Sequence, residues 1–419
     1  MKIRFSNTNR RLIIATTAAD FFVHLACMKN VCLLYLLFSL FVFSSFIASA
    51  QSPSLFYRPA YQPKIYSVGA RGGFGFIVPH RASMTHLITG HVYSGELFFE
   101  KCNYERNWQR LYSNPTYGFN FYFAYLANPN VLGNAYALDY FANLHLVKRK
   151  RFLFDLRLAS GLGYLTKDFN AEDNNQNIAI GSRFNISIGA SFDMKWRLGR
   201  QWQVGTGISL KHFSNGSFVT PNLGINIPVV MVTAKRILPY GNNREYIKHD
   251  TTWRTASKKY FVKNSRVLVS FGYGAREIPP PGGKKFGIYA LETAFRIHNH
   301  PKYALFAGAD IIHNVALYNH AVLYDSTFTG SQKNITQIAA GIGYSQVFDK
   351  FELFILNAFY LYSVSKKDGP VYQRIGGRYY FRKNFHAHFA LKTHFAKADY
   401  FEIGFGHNIN IKRKTDGEK

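Results

Sequence analysis

The chain has 419 residues, 47% of them hydrophobic and 17% aromatic, with 28 Tyr and 39 Phe. That aromatic content excludes intrinsic disorder, and the lack of long apolar runs beyond the N-terminal region excludes a polytopic helical membrane protein. The balance of 51 Lys+Arg against 23 Asp+Glu implies an anionic partner, either nucleic acid or a phosphorylated membrane surface.

Residues 31–47, VCLLYLLFSLFVFSSFI, form an apolar run, and Ala48-Ser49-Ala50 supplies a small-residue cleavage site before Gln51. Residues 1–50 therefore read as a signal peptide, with Met28-Lys29 an alternative start; an uncleaved anchor is the other reading. Cys27 and Cys32 leave with this leader, so Cys102 alone remains and no disulfide framework forms. Residues 51–419 keep 46 basic against 22 acidic side chains, a net +24. Export removes nucleic acid as a partner and leaves the membrane.

After Gln51 no helical period persists. Segments rich in Val, Ile, Phe, Tyr and Gly, with alternating character, predict strands near 65–78, 91–100, 117–127, 134–147, 152–163, 178–195, 201–214 and 223–235. The series resumes near 266–275, 286–297, 303–313, 335–347, 351–363, 371–381, 385–396 and 400–411. In the last of these, Phe401, Ile403, Phe405, Ile409 and Ile411 share one face, and Glu402, Gly404, Gly406, Asn408 and Asn410 share the other.

The connections decide the architecture. Outer-membrane barrels alternate short inner turns with longer outer loops. The inner set includes Lys148-Arg149-Lys150-Arg151, Arg197 to Arg200, His298 to Lys302, Asp349-Lys350 and Arg382-Lys383-Asn384; 164–177 and 314–334 are outer loops. Inner connections 101–116 and 236–265 are too long for the pattern. The expected fold is all-β, an antiparallel transmembrane β-barrel of about sixteen strands, with eight as the lower bound. One closed barrel is favoured over two. Along the chain, 51–235 is a first barrel portion, 236–265 a basic connection, 266–411 further barrel strands and 412–419 a tail.

The chemistry concentrates in Gln201 to Gly216 and Thr220 to Asn226. Trp202, Val204, Thr206, Ile208 and Leu210 form one row, continued by His212 and Ser214; Gln203, Gly205, Gly207, Ser209 and Lys211 form the other. In a barrel the apolar row faces lipid. A His and a Ser two apart on one face can come within hydrogen-bonding reach, so that imidazole activates the hydroxyl. The bland alternative is a pair of polar residues at a strand end.

His212-Phe213-Ser214-Asn215-Gly216, with Pro221-Asn222 and a polar residue at 226, resembles the PagL-type lipid A deacylases of Gram-negative outer membranes. The resemblance is specific over about 200–230 and extends to the eight strands from 65 to 235. It does not obviously cover 240–419. It implies an esterase that removes an ester-linked acyl chain from lipid A of lipopolysaccharide in the outer leaflet, without cofactor or metal. His212 would be the base and Ser214 the nucleophile. Asn222 and the Gly216 N–H, with neighbouring Asn215, would hold the oxyanion or substrate. The family's acidic third member aligns here with Asn226. An asparagine still fixes the imidazole tautomer, although an Asp-to-Asn change costs a serine protease about 10⁴ in turnover, so the alternatives are a working His-Ser-Asn arrangement, which is favoured, and a weakened or dead site. Asn226 also has the wrong parity beside Leu223, Ile225, Ile227 and Val229, so a bulge or a late strand start at Pro228 is expected to turn it toward His212.

Basic outer-loop groups such as Arg81, Lys167, Lys284 and Lys285 would suit the glucosamine phosphates. His298-x-His300 and His386-x-His388 have metal-chelating spacing but no completing ligand, and read as interface or lumen histidines. The competing function is a non-catalytic barrel, a porin or envelope scaffold.

Overall fold

The computed structural model describes residues 64–103, 106–238, 265–324, 335–364, 369–395 and 397–411. The expected signal peptide, most of the basic connection 236–265 and the tail 412–419 lie outside the described residues.

The described residues form sixteen antiparallel strands. The first eight are β1 (Ile65–Gly75), β2 (Val92–Cys102), β3 (Thr116–Tyr125), β4 (Asn134–Lys148), β5 (Phe152–Leu165), β6 (Phe184–Leu198), β7 (Trp202–Ser214) and β8 (Ile225–Ile237). The second eight are β9 (Ser265–Glu277), β10 (Lys285–Asn299), β11 (Tyr303–Asn314), β12 (Thr336–Phe348), β13 (Phe351–Tyr362), β14 (Val371–Tyr380), β15 (Phe385–His394) and β16 (Lys397–Ile411).

The single barrel expected from the sequence is corrected to two. β1 pairs with β8 from Ser67↔Ile237 to Gly75↔Val229, and β16 pairs with β9 from Glu402↔Gly274 to Ile411↔Ser265, so each set of eight closes on itself. Closure satisfies every strand edge. An eight-strand barrel has an interior just wide enough to be filled by side chains.

Both barrels are apolar outside and charged inside. Leu97, Ile208, Ile342 and Phe405 are 64%, 64%, 71% and 70% exposed. The buried rows carry ion pairs. In the first lumen Lys211 Nζ lies 2.6 Å from Asp139 Oδ2, Arg71 Nη2 2.6 Å from Asp193 Oδ1, and Lys235 Nζ 2.6 Å from Glu100 Oε1. In the second, Arg374 pairs with Asp310 at 2.9 Å and with Glu402, and Lys392 Nζ lies 2.6 Å from Asp399 Oδ2. Exposed apolar rows around buried charge invert the soluble pattern and suit lipid. A lumen filled by paired charges gives no support to a pore. His386 and His388 belong to this filling, His386 Nε2 lying 3.1 Å from Ser270 Oγ and His388 Nε2 3.3 Å from Glu402 Oε1. The side chain of His298 lies outside the described residues.

The end at which odd-numbered strands finish is the outer end in the expected orientation. Inner turns are short at 149–151, 199–201, 300–302 and 349–350, as the basic clusters predict. The long inner connection after β2 has a structural purpose. It carries the helix Asn107–Leu111, whose Trp108 meets the Phe348 ring edge-on at 6.2 Å. Tyr112 lies 4.7 Å from the same ring, with its hydroxyl 2.8 Å from the carbonyls of Lys302 and Val347. This connection bridges the two barrels. It and the helix Val315–Tyr324 escaped the sequence reading, the first because it is so short. The second, VALYNHAVLY, is apolar except for Asn319 and His320 and shows no stripe of helical period.

Candidate active site

His212 and Ser214 end the outward row of β7. Exposed Ile208 and Leu210 precede them, while Lys211 and Phe213 point into the barrel. Opposite them on β6 stand Ile188 and Ile186, each on the outward face. The two polar residues therefore cap an apolar exterior stripe.

Asn226 stands directly across from His212, and the expected bulge or late strand start is corrected, since β8 already begins at Ile225. The β7–β8 register runs from Phe213↔Ile225 to Trp202↔Arg236 without a shift. Ile225, Ile227, Val229 and Met231 face inward, against Phe213, Tyr122, Leu126 and Leu132, with Met84, Leu87 and Ile180 from the outer loops. The outer half of this lumen is an apolar plug, so on β8 the apolar residues mark the inside and Asn226 the outside. Pro228 lies just beyond the last β1–β8 pair, where a missing N–H matters least.

His212 Nδ1 is 2.7 Å from Asn226 Oδ1, and Asn226 Nδ2 is 3.2 Å from His80 Nδ1. An amide oxygen accepts and an amide nitrogen donates, so the chain has one consistent assignment. His212 carries its proton on Nδ1, which leaves the Nε2 lone pair available. His80 accepts at Nδ1. Burial first, then the neighbouring Arg81 charge, holds His80 below the usual imidazole range, in keeping with its acceptor role. His80 follows β1, 146 residues from Asn226, and no local spacing could have announced it.

Ser214 is buried, 5% exposed. Its Oγ receives two donors, Asn222 Nδ2 at 3.0 Å and the Gly216 N–H at 3.1 Å. The Asn222 amide is oriented by the Asn215 N–H, which donates to Asn222 Oδ1 at 3.1 Å. That fixes Nδ2 toward the serine, and the longer Ser214 Oγ–Oδ1 approach of 3.4 Å is secondary. The Asn215 side chain turns away, donating to Ser182 Oγ at 2.9 Å and accepting from Val219 N at 3.3 Å. The structure thus gathers Ser214, Asn222 and Gly216 in one cluster and His212 with Asn226 in the next. Among the described residues no hydrogen bond joins His212 to Ser214; such bonds often tighten only when substrate is bound.

Two glycines permit this packing. Gly224 has φ +80°, and a Cβ there would come 2.8 Å from His212 Cε1. Gly216 has φ +61°, and a Cβ would overlap the Phe401 ring of the second barrel. Only glycine takes such conformations cheaply. Of the basic groups expected near substrate phosphates, Arg81 adjoins His80, and Lys285 Nζ lies 5.2 Å from the Phe218 ring in the β7–β8 connection. Lys167 and Lys284 are exposed loop residues.

Comparison with known proteins decides the family. Residues 94–235 match the family "Lipid A 3-O-deacylase (PagL)", and residues 264–411 match "Acyloxyacyl hydrolase, C-terminal domain". The chain carries a PagL lipid A 3-O-deacylase domain followed by an acyloxyacyl hydrolase C-terminal domain. The two matches cover most of both barrels, including the half to which the sequence resemblance did not extend. These two domains make the chain one of the ester hydrolases and imply a lipid A deacylase. With two outward-apolar barrels, they point to the outer membrane.

No curated protein matches the sequence. Among solved structures, the chain is similar to Neisserial surface protein A, with 9% identity over 43% of this chain and 99% of that one, at a TM-score of 0.27. It is also similar to a double mutant of Rh. blastica porin, with 10% identity over 83% and 100% of the respective chains, at 0.18. Scores this low carry no argument, and the fold rests on strand pairing.

Proposed function

We propose that the chain cleaves an ester-linked acyl chain from lipid A in the outer leaflet of a Gram-negative outer membrane, with Ser214 as nucleophile and His212 as general base. His212 Nε2 takes the Ser214 proton as Oγ adds to the ester carbonyl. The oxygen of the tetrahedral adduct, bonded through carbon to Oγ, lies near the two donors that meet Oγ in the free site, Asn222 Nδ2 and the Gly216 N–H. The adduct collapses with loss of the sugar hydroxyl, to which His212 returns the proton. Water, activated by the same imidazole, then releases the fatty acid and restores Ser214. Asn226 holds the imidazole in the required tautomer. Being neutral, it stabilises the imidazolium less than a carboxylate would.

The observation that supports this most directly is the position of the polar cluster at the outer end of an exterior apolar stripe, Ile188, Ile208 and Leu210. A water-soluble ester would need no such surface, whereas an acyl chain in the leaflet lies along it.

The test is mass spectrometry of lipid A from a Gram-negative host expressing wild type, Ser214→Ala or Asn226→Asp. Loss of one acyl mass with wild type but not Ser214→Ala is the expected result. Unchanged lipid A from all three, with folded protein in the outer membrane, would leave a scaffold. Activity in Asn226→Asp alone would mark a disabled enzyme.

A further inference from the structure

The connection that carries Gly216 and Asn222, residues 215–224, is held from two sides. Its own barrel supplies one, through Ser182 Oγ to Asn215 and through Gly224 N–H donating to the Ala179 carbonyl at 2.9 Å. The second barrel supplies the other. The Glu277 N–H donates to the Ser217 carbonyl at 3.0 Å, and the Ser217 hydroxyl donates to the Ala398 carbonyl at 3.2 Å. The Thr220 hydroxyl donates to Glu277 Oε1 at 3.0 Å, and the Phe401 ring fills the space a side chain at Gly216 would take.

Glu277 is only 2% exposed, yet among the described residues it has no close cationic partner. Lys285 Nζ stands 3.8 Å from Oε2, and the closer donors are neutral: Gly282 N–H at 2.7 Å and Gly283 N–H at 3.3 Å, with Thr220. Burying a carboxylate is costly unless hydrogen bonds compensate. Here those bonds tie the β9–β10 turn to the loop beside the nucleophile. The match of this barrel to an acyloxyacyl hydrolase C-terminal domain assigns it no such role.

We infer that the second barrel is a positioning element for the first barrel's site, with Glu277 and Phe401 as the positioning residues that hold the 215–224 connection so that the Gly216 and Asn222 donors meet at Ser214. This rests on the reading of Ser214 as nucleophile. Neither residue touches the ester. Both act through the loop, so their loss lowers turnover more than substrate affinity. A misplacement of about 1 Å can cost on the order of 100-fold in rate.

The experiment uses the full chain, refolded in detergent with lipopolysaccharide as substrate, and compares wild type, Ser214→Ala, Glu277→Ala, Glu277→Gln and Phe401→Ala. Three readouts are taken: kcat and KM for acyl release, the rate of Ser214 labelling by a fluorophosphonate, and heat-modifiable gel migration as a check of folded barrels. Glu277→Ala and Phe401→Ala are expected to lower kcat and labelling by about 10- to 100-fold with KM within about twofold and barrels folded. Glu277→Gln, whose amide oxygen still accepts from Thr220 and Gly282, should stay near wild type. Wild-type kcat and labelling in both Glu277→Ala and Phe401→Ala would overturn the inference, as would losses that only track unfolded protein or a Glu277→Gln as slow as Glu277→Ala. Failure of the underlying reading looks different: wild type itself would release no acyl chain, or Ser214→Ala would release as much.

Discussion

The two barrels are built alike and end differently. Each closes eight strands around ion pairs and turns apolar rows outward. At the outer end of the last hairpin they diverge. In the first barrel residues 215–224 separate β7 from β8, and this stretch supplies the Gly216 and Asn222 donors. In the second only residues 395 and 396 separate β15 from β16, with Phe395 at φ +55°. A hydroxyl and an imidazole are present there too, but structure absorbs both. Thr393 Oγ1 lies 2.7 Å from the Phe395 carbonyl and 2.8 Å from that of Lys397, and His394 Nε2 turns inward to Tyr360 Oη at 3.0 Å. The barrel is therefore common ground, and the proposed chemistry depends on the length and content of one connection.

Substitutions at matched places in the two barrels put that contrast at risk. The largest expected effect is Ser214→Ala, which should slow acyl release by roughly 10⁴-fold or more. Thr393→Ala in the second barrel should leave it unchanged, and a loss there would show the two ends to be functionally alike. Asn222→Ala removes one of the two donors at Ser214 Oγ, for an expected loss of about 100- to 1000-fold in kcat. Removing Arg374, which holds Asp310 and Glu402 in the second lumen, should destabilise that barrel by about 3–5 kcal/mol in denaturant titrations. On the exterior, Ile208→Arg and Ile403→Arg should each cost about 2–4 kcal/mol in bilayers. A cost for one barrel only would mean that the two do not share a membrane setting.

The smallest effect concerns His80. Its folded pKa is depressed, so relative to an ordinary imidazole of 6.5 it contributes stability that is present above pH 6.5 and lost as pH falls from there toward the folded value. His80→Gln, which can accept from Asn226 at any pH, should flatten that limb of apparent Tm against pH. An unchanged acid limb would remove His80 from the chain of hydrogen bonds through Asn226.

Strand positions were legible because alternation and basic turns are local signals, and the sixteen segments fall close to the observed strands. How they close was not, since the β1–β8 and β9–β16 pairings join residues far apart in sequence. β8 shows a subtler limit. Ile225, Ile227 and Val229 read as a lipid-facing row, but the plug within the first barrel claims them, which reverses the inferred side of Asn226. Alternation reports two faces without saying which is inside when both are apolar. Similarly, the H-x-S spacing located the candidate nucleophile and base, but nothing near it in sequence points to His80, Glu277 or Phe401. Each arrives through tertiary contact.

An outward-facing Ser214 also sets the kinetics to expect. With the lumen filled, substrate and fatty acid would come and go sideways, within the leaflet itself. Encounter would then be two-dimensional, and turnover would follow the mole fraction of substrate among surrounding lipids, falling on surface dilution with inert detergent even when the bulk concentration is held constant.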